Sequence, residues 1–146
     1  VFVQGEFNEF ILLKSRALAG AGLRARLLKQ KNFLLHAGTG LMIEKEVFSE
    51  RDGTVLKEDT RHLKTTNYIS MDWDISESAN MGLVTYWQAP FSRLSGYRFL
   101  TDLSFNFTLS RLFTFFTTLH HRYDNSPPDT IRKYDLTLKS GIGIKF

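Results

Sequence analysis

Residues 130–146 read TIRKYDLTLKSGIGIKF, and the fold turns on how that stretch is read. In an extended strand successive side chains point to opposite faces. Tyr134, Leu136, Leu138, Ile142, Ile144 and Phe146 therefore share one face. Lys133, Asp135, Thr137, Lys139, Gly141, Gly143 and Lys145 share the other. An apolar face backed by a charged, glycine-rich one is what a transmembrane β-barrel strand requires, with lipid on one side and a polar lumen on the other.

Composition narrows the alternatives. The 146 residues suffice for a single domain, taken here as 1–146. Without cysteine there is no disulfide framework and no thiolate metal site. Mean hydropathy is mildly negative, and no run approaches the roughly 20 apolar residues of a membrane helix. Barrel strands escape a hydropathy window because their two faces cancel in it. The 13 Phe are a heavy aromatic load, favoured in strands and at membrane interfaces. The net charge of +4 is spread over alternating segments with no basic stripe, which argues against a nucleic-acid partner. The chain starts at Val1 with no initiator Met and no signal segment, the expectation for a mature or truncated product.

The same period of two recurs throughout and predicts eight strands, at about 1–8, 13–28, 32–48, 61–75, 80–91, 96–109, 112–124 and 130–146. The resulting fold class is all-β, an antiparallel up-and-down transmembrane β-barrel. Its expected lumen-facing polar residues are Arg16, Arg24, Arg26, His36, Glu44, Lys64, Asp72, Arg98, Asp102, His120, Arg122, Asp135 and Lys139. Glycines at 20, 22, 38, 40, 141 and 143 also face inward, where they are expected to relieve crowding.

Turn lengths orient such a barrel, because periplasmic turns are short and outer loops long. Short connections at 29–32, 75–80 and 109–111 go to the periplasm together with both termini. A long charged connection at 49–60 and a proline-containing one at 125–129 go outside. The expected interface aromatics are Trp73 near the periplasmic end, Trp87, Tyr97, Tyr123 and Tyr134 near the outer end, and Phe146 at the terminus.

The segments GAGLRARLL (20–28), HAGTG (36–40) and YDNSPPDTIRKYDLTLKSGIGIKF (123–146) resemble the salt-induced outer-membrane protein family of Gram-negative bacteria. The closing hairpin carries most of the likeness: a Tyr-Asp, a Pro-Pro loop, and an ending with Gly141, Gly143, Lys145 and Phe146. The resemblance implies a bacterial outer-membrane location, lipid as surroundings, and recognition of the C-terminal strand and its Phe146 by the barrel-assembly machinery. It also implies about four further strands ahead of the segment matching Val1, so that this chain corresponds to the C-terminal part of a barrel of about twelve.

Three functional classes remain open. The first is a non-enzymatic barrel with no cofactor and no metal, in a structural, stress-related or passive solute-pore role. The second is a lipid-modifying enzyme using His120 with Ser126 and Asp124, which requires nucleophile and base within hydrogen-bond reach. The third is a soluble lipocalin-like barrel, which reverses the polarity of the two faces. Mixed luminal charges favour a salt-bridged plug over an open pathway, because buried charges must be paired. Glu50, Asp52, Glu58 and Asp59 lack the ligand spacing of a calcium loop.

Overall fold

The computed structural model describes residues 1–8, 13–49, 55–127 and 132–144, with the side chains of 1–7, 15–47, 62–127 and 132–144. Eight strands are formed among them: β1 (Phe2–Asn8), β2 (Leu13–Lys29), β3 (Phe33–Ser49), β4 (Val55–Ser76), β5 (Ala79–Pro90), β6 (Arg98–Thr108), β7 (Phe113–Asp124) and β8 (Tyr134–Ile144). Each is antiparallel to its predecessor, and their order in the sheet is their order in the chain.

Most boundaries fall within one or two residues of expectation. The last strand, expected from 130, begins at Tyr134, and the larger departure is the connection expected at 49–60. Ser49 already pairs with Val55, and β4 begins there. By sequence, residues 55–61 carry charged and polar side chains on both faces, so they lack the apolar–polar contrast that marks a strand. The antiparallel ladder with β3 extends through them all the same, because backbone pairing does not depend on which face is apolar. The hairpin expected at Ser110 and Arg111 is likewise wider. Leu109 and Ser110 both donate from the backbone to the Phe113 carbonyl, and the Ser110 hydroxyl accepts from Leu112 and Phe113 N–H.

Neighbouring strands lie about 4.8 Å apart, so strands three places apart in a flat sheet are out of side-chain reach. Yet Arg98 on β6 donates to Glu46 on β3 at 2.8 Å, and Arg16 on β2 reaches Gln88 on β5 at 3.3 Å. The sheet is curled toward the face that carries these residues, which is the even-numbered face of β1 to β7 and the odd-numbered face of β8. The product is a curled half-barrel. β1 and β8 form no ladder with each other among the described residues.

Its polarity is inverted. Among the described residues, the buried side chains include Arg16, His36, Glu44, Lys64, Thr66, Ser70, Gln88, Arg98 and Asp124, against only Leu18, Met42, Ala79 and Ala89 of apolar type. The convex face exposes large apolar groups instead, with Leu23 79 %, Leu138 65 % and Ile142 62 % accessible. That is the reverse of the apolar interior and polar exterior the lipocalin-like alternative needs.

The register can be checked by cross-linking. Leu119 and Leu138 are direct partners on the convex face, within the Cα separation a disulfide spans. The double variant Leu119→Cys, Leu138→Cys is expected to form a disulfide on mild oxidation, seen as a mobility shift on non-reducing gels. Leu119→Cys with Lys139→Cys, whose side chains leave opposite faces, is expected to give none.

Candidate functional site

One tier of ionised side chains from six strands, with the neutral Gln88 of β5 among them, crosses the concave face. Arg16 donates to Glu6 Oε2 at 2.8 Å and, through Nε and Nη2, to Glu44 Oε2 at 2.9 and 2.5 Å. Lys64 donates to the other oxygen of Glu44, which is 1 % exposed. Arg98 spans two acids: Nη1 and Nη2 meet the two Glu46 oxygens at 2.8 and 3.3 Å, and Nε and Nη2 meet Asp124 Oδ2 at 3.0 and 2.7 Å. Gln88 closes the gap between them, accepting from Arg16 and donating to Thr66 Oγ1 at 3.4 Å. Arg122 stands 4.0 Å from Asp124.

The tier holds Arg16, Lys64, Arg98 and Arg122 against Glu6, Glu44, Glu46 and Asp124, so its formal charges cancel. Cancellation is what makes burial of so many ions tolerable, since an unpaired ion in a desolvated site costs several kcal/mol. The tier does not run along one row of the register. Arg16 is paired across the ladder with Glu46 but also bonds Glu44; Lys64 faces Pro90 while the tier continues at Gln88. Such a slope follows from strands tilted to the axis of a barrel.

Between the tier and the short-turn end lies a cavity of about 790 Å³. Leu18, Thr66 and Gln88 border it on the tier side; Tyr68, Tyr86, Ser70, Leu100, Arg24, Asp72 and Asp102 line its walls. The Tyr68 and Tyr86 rings sit 5.4 Å apart. Arg24 donates to His36 Nδ1 at 2.9 Å, and His120 Nδ1 meets Asp102 at 2.6 Å. Two inward glycines have a definite task here. A Cβ on Gly38 would collide with the Tyr68 ring, and one on Gly141 would lie 2.6 Å from Phe116. They seat aromatic rings from the neighbouring strand, a more specific role than general relief of crowding.

Of the residues singled out from sequence, the tier gathers Arg16, Glu44, Lys64, Arg98 and Arg122, while Arg24, His36, Asp72, Asp102 and His120 lie at or beside the cavity. Arg26 stands across from His36, Asp135 from Arg122, and Lys139 from Thr118. On the convex face Trp87, Phe99, Tyr123 and Tyr134 form one row across β5 to β8. Tyr97 lies just ahead of β6, not within it, with its ring 6.2 Å from Tyr123. Trp73 packs edge-on against Phe33 at 6.4 Å near the opposite end. Phe146 lies outside the described residues, as do the side chains of Glu50, Asp52, Glu58 and Asp59.

The candidate catalytic side chains make no hydrogen bond to one another, although Asp124 and Ser126 meet through the Ser126 backbone. His120 holds Asp102; Asp124 is engaged by Arg98 and accepts from the Ser126 backbone N–H at 3.0 Å; the Ser126 hydroxyl donates to Asn125 Oδ1 at 3.2 Å. Sequence reading passes over Gln88 and the Tyr86 side chain, and places Asp124 with Ser126 instead of Arg98. Their even positions on β5 and β7 are the available signal.

A curled antiparallel sheet with an ionised concave face and an apolar convex one defines the class as β-barrel-like. Over residues 1–146 the chain matches the family described as protein of unknown function, DUF481, and it belongs to that family. No curated protein and no solved structure matches it.

The tier sets a testable energy scale. Glu44→Ala leaves Arg16 and Lys64 without their shared acceptor and is expected to destabilise the folded protein by about 3–5 kcal/mol. Removing the half-exposed His120 by His120→Ala is expected to cost less than about 1 kcal/mol. Urea unfolding in detergent micelles, followed by tryptophan fluorescence, measures both.

Proposed function

We propose that the chain is an integral β-barrel protein of the bacterial outer membrane, non-enzymatic, with a lumen occluded by its salt-bridged tier and a structural role in that membrane. The observation that carries this reading is the inverted polarity. Burying ions and exposing leucine is unfavourable in water, whereas lipid around the convex face reverses the balance. The row Trp87, Phe99, Tyr123 and Tyr134, with Trp73 and Phe33 near the other end, supports two interfacial girdles. Short connections after β2, β4 and β6 support a periplasmic assignment for that end, with the termini.

Lipid does not tolerate an open sheet edge, so this reading requires ladder partners for β1 and β8. Likeness of the closing hairpin to the salt-induced outer-membrane family supports insertion by the barrel-assembly machinery through the C-terminal strand, and a stress-related setting. The non-enzymatic reading draws support from the side chains of His120, Ser126 and Asp124, none of which bonds another. A passive solute pore is the second reading, favoured by the cavity beneath the tier. Conductance separates the two, since the tier stands between that cavity and the opposite end.

Membrane residence is tested by flotation. The protein is expected to float with outer-membrane vesicles and to resist alkaline extraction; recovery in the soluble fraction would end the proposal. Leu138→Arg places a charge on the convex face and is expected to lower stability in lipid vesicles by about 2–4 kcal/mol.

Occlusion is tested in planar bilayers. The wild-type chain is expected to show no steady conductance, and the double variant Arg98→Ala, Glu46→Ala, which opens the bridge between β3 and β6, is expected to conduct. Steady wild-type channels would favour the pore.

A further inference from the structure

We infer that the cavity beneath the tier is a binding site for a small neutral, hydroxyl-rich solute of sugar size. The first observation is its size and position. About 790 Å³ lies within the range of ligand cavities, and the ionised tier borders it on one side. The second is Ser70. Its hydroxyl is the one buried side-chain polar atom among the described residues without a hydrogen-bond partner, the residue is 8 % exposed, and it forms part of the cavity wall. A buried hydroxyl without a partner is unfavourable, and a ligand hydroxyl that bonds it removes that penalty.

The lining chooses the chemistry of the solute. Arg24 bonds His36 and Asp102 bonds His120, and the lining sets the Arg24 guanidinium against the carboxylates of Asp72 and Asp102. Charges of both signs at one wall disfavour a ligand carrying a single net charge. What remains is a set of hydrogen-bonding groups: the Tyr68 and Tyr86 hydroxyls, the Ser70 hydroxyl, and the carboxylates of Asp72 and Asp102 as acceptors. The paired rings of Tyr68 and Tyr86, with the apolar Leu100 beside Tyr86 in the same row, add an amphipathic surface for the C–H face of a sugar ring. Rings for the apolar face and mixed donors and acceptors for the hydroxyl groups suit a saccharide better than a cation or an anion.

Binding is read on the full chain in detergent micelles, so it does not depend on the outcome of flotation. Saturation-transfer NMR and calorimetry are run with sucrose as the neutral probe and choline as the cationic one. Sucrose is expected to bind, with choline giving no signal. Tyr86→Ala is expected to weaken sucrose binding by about tenfold or more. Ser70→Ala is expected to weaken it too while raising the urea midpoint, because the substitution removes a partnerless hydroxyl from the wall. A purely structural Ser70 would move the midpoint alone. Absence of sucrose binding, binding unchanged in Ser70→Ala, or binding of choline in its place overturns the inference.

Discussion

Arg98 reaching from β6 to Glu46 on β3 is the interaction on which the shape of this molecule depends. A flat sheet holds these residues too far apart to touch. Curling brings them together, and curling also delivers Arg16 to Gln88 and encloses Glu44. The dependence runs both ways. Four acids and four bases confined to one face are tolerable only when each meets a partner, and that pairing exists only in the curled sheet.

An ionised interior changes the requirements on the rest of the wall. The concave face takes its packing from rings seated on glycines, Tyr68 on Gly38 and Phe116 on Gly141, and from the few apolar groups Leu18 and Met42. The convex face then carries the leucines, isoleucines and phenylalanines that a water-soluble domain would place inside. Aromatic residues concentrate toward the ends of that face, and the polar charge network sits near the end with the longer connections. The cavity occupies what the tier leaves, and its lining mixes the two chemistries: tyrosine rings, aliphatic side chains and carboxylates.

Much of this architecture is legible in the order of residues. Parity alone assigns Arg16, Glu44, Lys64 and Arg98 to one face, because the side-chain period of a strand is two. Six of the eight strands fall close to their expected bounds. The extension of β4 to Val55 is not legible, since residues 55–61 have no apolar face and local pattern is blind to a ladder propagated from β3. Closeness in sequence groups Asp124 with Ser126, and its Oδ1 does accept from the Ser126 N–H, but its Oδ2 meets Arg98, 26 residues away.

By itself the sequence determined that this chain is antiparallel β-sheet, which residues share each face, and that one face is charged and the other greasy. Those are local properties, written in a period of two. Only the tertiary structure decided which face is concave, which charges meet, and that the tier slopes from Arg16 through Glu44 and Lys64 to Gln88 while a cavity lined by Tyr68 and Tyr86 opens beneath it. The physical reason is that parity gives a side chain its face and not its height. Height comes from register, strand tilt and curl, which belong to the whole sheet and to no single stretch of it.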